Sequence, residues 1–208
     1  MRVVLTGSTG GIGSSIANKC KSNGIETIEI SRENCDLSTT VKYKNENIDA
    51  LIYCAGINNP KPFSELTEKD IQDTLQINAL SFIELCKNIK FNHSANIIAI
   101  GSIYATASRS GRLAYALSKH ALYGAVKTLA IEMSIHNIKV NMISPGFVLT
   151  DLTKKNNSQE RINFLNETIP LGMTEPSDIA DLCFFMLQNR SITGQNIIVD
   201  GGYSLLGV

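Results

Sequence analysis

The amino terminus carries the tightest constraint on what this chain can fold into. Residues 2–5 form a short apolar run with the β-branched Val3 and Val4, followed at once by Thr6-Gly7-Ser8-Thr9-Gly10-Gly11-Ile12-Gly13. A helical apolar period through Ile12, Ile16 and Cys20 then runs to Gly24. Strand, glycine-rich turn and helix in that order make a dinucleotide-binding unit, because glycines let the backbone approach a pyrophosphate that the helix N-terminus then holds. Gly7, Ser8, Thr9, Gly11, Ile12 and Gly13 are the candidate contacts. A tight turn that needs glycine only for its own geometry is the plainer alternative.

A second constellation follows the apolar run Ile97 to Ile100, which reads as a buried strand that leaves Ser102 at its end. From Ala114 onward the residues favour a helix, with an apolar face through Leu117, Ala121, Leu122 and Ala125. On it Tyr115 and Lys119 are four residues apart and leave the same face. A phenol titrates near ~10, and an adjacent ammonium favours its ionised form, so Tyr115 beside Lys119 reads as a tunable proton donor. Ser102, if brought across, offers a hydroxyl to a substrate carbonyl oxygen. On its own the pair is equally an exposed Lys and a half-buried Tyr.

Together these residues resemble the short-chain dehydrogenase/reductase family, over nearly the whole chain. Its Thr-Gly-x-x-x-Gly-x-Gly pattern fits Thr6, Gly7, Gly11 and Gly13, and its Ser and Tyr-x-x-x-Lys fit Ser102, Tyr115 and Lys119. Its Ala-Gly after the fourth strand fits Ala55-Gly56, its helical Asn fits Asn78, and its Pro-Gly-x-x-x-Thr fits Pro145, Gly146 and Thr150. The closing Thr-Gly-Gln-x-x-x-Val-Asp-Gly-Gly fits residues 193–202. The resemblance implies an NAD(P)(H)-dependent oxidoreductase that interconverts a carbonyl and a secondary alcohol. Ser102 would hold the oxygen, Tyr115 would supply the proton and Lys119 would bind the nicotinamide ribose and lower the tyrosine pKa. Asn78 would kink its helix and support a water relay, with a solvated surface amide as the alternative. Val148 and Thr150 would clamp the carboxamide of the nicotinamide.

Cofactor choice is read at the end of the second strand. An acidic residue there accepts the ribose hydroxyls of NAD, whereas Ser31-Arg32 favours the 2′-phosphate of NADP(H). The alternative is a solvated charge that stacks on adenine. Only Glu33, Asn34 and Cys35 separate Arg32 from Asp36, too few for the helix the family usually places there. Asp36 and Leu37 are therefore expected to reach the adenine by a tight turn, with the third strand vestigial or differently paired and that end of the site exposed. Where the family most often has two asparagines before Ala-Gly, this chain has Tyr53 and Cys54, which puts local hydrogen bonding in doubt.

Strand alternates with helix along the chain, as in a parallel sheet covered on both faces. The expected fold is α/β, a doubly wound Rossmann fold in one domain over 1–208, mostly parallel and flanked by helices, with its third-strand region shortened. Strands are expected near 3–5, 26–30, 50–54, 97–100, 139–143 and 197–199, and helices near 11–23, 69–87, 114–136, 159–166 and 176–187. The polar segment 154–160 reads as a lid over the substrate, or else as an ordinary connection.

Nineteen basic and nineteen acidic residues leave no net charge, which removes any such argument for a nucleic-acid or anionic-membrane partner. No leader pattern or membrane span is read, so a cytoplasmic placement is expected. Five scattered cysteines, without Cys-x-x-Cys, and three unclustered histidines indicate neither a disulfide framework nor a metal site. The substrate is a small carbonyl or alcohol, with a 3-oxoacyl thioester as one candidate and sugar-linked or secondary-metabolite carbonyls as others. A carrier-protein substrate would want a basic docking patch, which Arg109 and Arg112 could begin. Gly7, Gly10 and Gly13 also satisfy the spacing of longer nucleotide-sugar enzymes, whose C-terminal substrate domain finds no room before Val208. A non-catalytic nucleotide sensor is expected to have lost Ser102, Tyr115 or Lys119. The helices at 69–87 and 114–136 are the family's usual dimer surface, which implies a homodimer or homotetramer.

Overall fold

The computed structural model describes residues 1–206; Gly207 and Val208, the last two of the expected 1–208 unit, lie outside the described residues. Among the described residues six strands form one sheet in the order β2-β1-β3-β4-β5-β6, every pairing parallel. They are β1 (Arg2–Thr6), β2 (Glu26–Ile30), β3 (Asn45–Tyr53), β4 (Ile89–Ile100), β5 (Lys139–Pro145) and β6 (Asn196–Val199). The helices are α1 (Gly11–Ser22), α2 (Glu68–Leu75), α3 (Ser81–Asn88), α4 (Leu113–Glu132), α5 (Asp151–Lys155), α6 (Gln159–Thr168) and α7 (Pro176–Gln188). Strand order reverses between β1 and β3, which opens a crevice at the carboxyl ends of the strands.

The apolar runs of the central strands follow from burial on both faces. Successive side chains alternate, so Val3, Leu5, Ala50, Ile52, Ile98 and Ile143 pack with Ile16 of α1 and Ile179 and Cys183 of α7. Their neighbours Val4, Leu51, Tyr53, Ile97, Ala99 and Met142 pack on the other face with Phe82, Leu85, Leu122 and Val126 of α3 and α4. Among the described residues, no helix is long and apolar enough to cross a membrane.

Four expectations are corrected. There is no strand between Ile30 and Asn45, so β2 is an edge and the third strand of the resembled family is absent rather than displaced. The short segment plugs the core instead, with Leu37 and Val41 buried in the apolar cluster that also holds Ile30 and Ile48. Its backbone is tied to α3: the Val41 amide donates to the Glu84 carboxylate (2.9 Å) and Asn88 Nδ2 to the Val41 carbonyl (2.7 Å).

Secondly, β3 and β4 begin well before 50 and 97, because residues 45–48, three of them polar, pair with 89–91 across register shifts, with positive φ at Asn47 and Ser94. Thirdly, the helix expected over 69–87 is broken by a π turn, Gln76–Leu80. Tyr53 donates its buried hydroxyl to the Ile77 carbonyl, which also accepts from Ser81 Oγ (3.0 Å). Lastly, the 154–160 segment is not a plain connection. Thr150 caps α5 and Ser158 caps α6, each accepting a backbone amide, so only 156–158 lies between two helices.

The backbone after β3 is held by Thr6. Its hydroxyl oxygen, fully buried at the end of β1, accepts the amides of both Cys54 and Ala55 at 3.0 Å. Thr6→Val keeps the shape and orphans two amides, so unfolding in urea is expected to cost about 1–3 kcal/mol less than for the unaltered chain. An unchanged midpoint would show that water replaces the hydroxyl.

Candidate active site

The crevice is a cleft of ≈ 1100 Å³ that crosses the carboxyl ends of β1, β3, β4 and β5. Gly7, Ser8, Thr9, Gly11, Ile12 and Gly13 form one wall. Two glycines there are fixed by packing. A Cβ on Gly7, whose φ is +68°, would lie 2.8 Å from the Ala55 nitrogen, and one on Gly13 would strike the Gly7 carbonyl. The turn therefore lies flat on β3 with α1 directly on it. Gly10 caps α1 without a side chain, no acid stands in its first turn, and Lys19 and Lys21 stand in its last. That leaves a positive helix end facing the cleft, where an anion fits.

At the β2 edge Ser31, Arg32, Asp36 and Leu37 line the same cleft. Arg32 and Asp36 are exposed, as the shortened segment implied. Hydrogen bonds from Ser38, first of all its amide at 2.9 Å, hold the Asp36 carboxyl below its ordinary range. Ala55 and Gly56 continue the lining from β3, and Pro145, Gly146, Val148 and Thr150 from β5. Gly11 abuts the Thr150 methyl, 2.7 Å from a notional Cβ, which seats the start of α1 against the start of α5.

Ser102, Tyr115 and Lys119 meet on the opposite wall. Ser102 Oγ accepts the Tyr104 amide at 3.2 Å and lies near enough to the Tyr115 phenol to favour its ionised form. The ring of Tyr104 stands edge-on to that of Tyr115, centroids 6.0 Å apart. Lys119 is 3% exposed; its Nζ donates to the Ile100 carbonyl (2.9 Å) and lies 5.6 Å from the Tyr115 ring centre.

The expected lowering of the tyrosine by the lysine is corrected. Burial pushes the phenol up to about 12, and what opposes it is the Ser102 hydroxyl and the Arg112 charge. Lys119 is itself driven down to about 8 by burial, because its ammonium faces a single carbonyl in an apolar wall.

Asn78 is the one expected site residue that does not line the cleft. It is fully buried in the π turn, not a solvated surface amide: Oδ1 accepts the Ile57 amide (2.8 Å), while Nδ2 donates to the Ile57 carbonyl and to Ser118 Oγ (both 2.9 Å). Both donors are spent on pinning the loop after β3 to α4, which leaves one lone pair of Oδ1 for any water.

Sequence reasoning missed Asn58, Tyr104 and Asn156 as lining residues, and placed Arg112 on a docking surface. Arg112 is 9% exposed inside the cleft, where its Nη1 donates to Asn58 Oδ1 (2.8 Å). Asn156 Nδ2 donates to the Asn58 carbonyl (3.1 Å) and so ties the α5–α6 flap to the same loop. The signal available was position: Arg112 lies one turn before Tyr115. Arg109 alone of the two arginines is exposed.

A family model described as enoyl-(acyl carrier protein) reductase matches residues 31–204. Carbonyl reductase family member 4 of Xenopus laevis is 36% identical over 184 residues, covering 85% of this chain and 76% of the relative. The 3-oxoacyl-(acyl-carrier-protein) reductase FabG of Rickettsia bellii is 31% identical, covering 96% of this chain and 95% of its own. The crystal structure of a short chain dehydrogenase family protein from Francisella tularensis superposes with a TM-score of 0.83 at 27% identity over 98% of both chains. The class is that of the NAD(P)-dependent oxidoreductases working between CH–OH and C=O groups. Within it, the chain belongs to the short-chain dehydrogenase/reductase family.

The Lys119 environment predicts a stability trend. Between about 8 and 10.5 the unfolded chain keeps a proton that the folded chain has shed, so stability rises with pH across that window. Lys119→Met removes the titration. Its stability relative to the unaltered chain is expected to fall by on the order of 3 kcal/mol between pH 7 and pH 10.5, read by denaturant titration at each pH. A pH-independent difference would mean that the ammonium is solvated.

Proposed function

We propose that residues 1–208 act as one catalytic unit that reduces a carbonyl to a secondary alcohol, or runs the reverse, with Tyr115 exchanging the proton. The carrying observation is that Ser102, Tyr115 and Lys119 line one wall of the cleft, with Ser102 close enough to the Tyr115 phenol to lower its pKa and Lys119 Nζ 5.6 Å from the Tyr115 ring centre. When bound, the nicotinamide supplies or accepts the hydride. The residues that would hold the cofactor are the glycine turn from Gly7 to Gly13, Ser31, Arg32, Asp36 and Leu37 at the β2 edge, and Ala55 and Gly56. Lys119, Pro145, Gly146, Val148 and Thr150 complete the set. The fit rests on the glycine cradle that a Cβ would fill and on the positive end of α1.

Ser102 donates to the substrate oxygen and Tyr115 gives its proton to that oxygen as the carbonyl carbon is reduced. A phenol held near 12 is protonated at neutral pH, which suits reduction; alcohol oxidation calls on the phenolate and gains as pH rises. Asn78 acts as a positioning residue, through Ile57 and Ser118.

NADP(H) is the preferred cofactor in this reading, because Arg32 is the cation at the open end of the cleft, where a 2′-phosphate would lie. A 3-oxoacyl thioester is supported as a substrate by the names of the relatives. Five free cysteines suit a reducing cytoplasm. Exposed Leu80, Leu113, Leu117 and Ile131, on or beside α2 to α4, support a homodimer or homotetramer. Sedimentation equilibrium is expected to give at least twice the 22.7 kDa chain mass, and a monomer at micromolar concentration would reject the assembly.

The deciding experiment titrates the protein with NADPH and NADH and then offers a carbonyl panel that includes a 3-oxoacyl thioester. Tyr115→Phe is expected to lower kcat by ~10²–10⁴ with NADPH binding retained. Arg32→Ala is expected to weaken NADPH binding about 10-fold and to leave NADH unchanged. Full turnover by Tyr115→Phe would sink the mechanism, and an equal effect of Arg32→Ala on both nucleotides would sink the cofactor preference.

A further inference from the structure

Arg112 is a charge that the hydride chemistry does not require. It caps α4 from inside the cleft, 9% exposed, with Nη1 bonded to Asn58 Oδ1. A guanidinium has five donors, and a buried one is ordinarily matched by a carboxylate. Among the described residues the ion pairs use the amino terminus, Arg2, Lys19, Lys61, Lys69 and Lys90, and none uses Arg112. Nor is any Arg112 nitrogen among the fully buried atoms without a partner, so the donors beyond the Asn58 bond keep some exposure on a side chain that lines the cleft.

The surroundings offer it no anion. Tyr104, Tyr115, Asn58 and Asn156 share this part of the cleft and are uncharged as phenols and amides. Of the carboxylates that line the cleft, Glu33 and Asp36 follow β2 and Asp151 is exposed at the start of α5. The first turn of α4 contains no acid and has no side-chain cap, so the positive end of a 20-residue helix adds to the guanidinium.

We propose that Arg112 is the site for a carboxylate carried by the substrate, so that, of the carbonyl compounds weighed above, this chain prefers small oxo acids and hydroxy acids to neutral ketones and thioesters. The inference rests on the reductase reading above and names its substrate class. Arg112 and Tyr115 line the same cleft and the guanidinium charge acts on the phenol, so a carboxylate forked onto Arg112 brings its molecule's oxo group to the tyrosine side of the cleft. The same charge holds the amide of Asn58, so the carboxylate pocket includes the loop that Asn78 and Asn156 pin.

The test offers pyruvate, acetoacetate and levulinate, each against its methyl ester, together with an acetoacetyl thioester, under NADPH and NADH. At least one acid is expected to exceed its ester about 10-fold or more in kcat/KM. Arg112→Leu is expected to cut the acid's kcat/KM by about 10- to 100-fold more than the ester's, the difference lying chiefly in KM, while any loss common to both reports the guanidinium's effect on Tyr115 and the Asn58 loop. Arg112→Lys should recover part of the loss, while Arg109→Leu, which removes an exposed charge, should change neither substrate. NADPH binding by Arg112→Leu checks that the variant is folded. Esters or the thioester turned over in preference to every acid would overturn the carboxylate site and leave the reductase standing, as would an Arg112→Leu loss equal on acid and ester. No turnover of any compound would overturn the reductase reading and this inference with it.

Discussion

The junction of β1 with β3 carries the rest of the molecule. Thr6 takes the two amides that follow β3, and Gly7 lies so close to Ala55 that no side chain fits between them. Because the strand order reverses at this pair, the contact sets the width of the crevice. Gly13 resting on the Gly7 carbonyl then fixes where α1 begins, and Gly11 against Thr150 fixes where the chain leaves β5. Three walls of the cleft are thereby placed by contacts that admit only glycine on one side.

Within those walls the charges are arranged around one phenol. Burial raises Tyr115, and the opposing influences come from a neutral hydroxyl and a guanidinium rather than from the nearest ammonium. Lys119 is buried deeply enough to lose part of its own charge, so its contribution to Tyr115 is limited by the cost of keeping it protonated. Any anion that binds near Lys119 or Arg112 offsets that cost. A wall that buries these cations favours an anionic ligand before any specific hydrogen bond is counted.

The residues whose roles depend on type and local spacing were readable from the sequence. Glycines after a first strand, and Ser102, Tyr115 and Lys119 at a strand end and along one helix face, announce themselves by chemistry. The sheet was equally legible, since two-sided burial writes unbroken apolar runs into residues 50–53 and 97–100. What stayed hidden depends on distant partners. The first half of β4 contains Lys90, Asn92, His93 and Ser94 and is a strand because β3 pairs with it, with Lys90 on Glu46 at 2.6 Å. Gln76-Ile77-Asn78-Ala79-Leu80 has nothing in its composition to mark a π turn; Tyr53, 24 residues before the carbonyl it binds, holds it open. Arg112 is buried by Asn58, 54 residues away, so no local window shows it inside the site.

The missing strand shows how a shorter chain keeps both the core and the cleft. Without a helix and strand after β2, that strand is the edge of the sheet; Leu37 and Val41 join the apolar cluster that contains Ile30 and remain attached to the cleft through Leu37. That cover is held by α3, through Glu84 and Asn88, and by Gln76, whose amide donates to the Thr39 carbonyl (3.1 Å) and to Glu84 (3.3 Å). Gln76 opens the π turn that two residues later presents Asn78 to Ile57 and to Ser118 on α4. One widened turn therefore fastens the β2 edge of the cleft and its tyrosine helix to the same backbone. A regular helix over 76–80 would turn these side chains to other azimuths, and the two ends of the cleft would lose their common support.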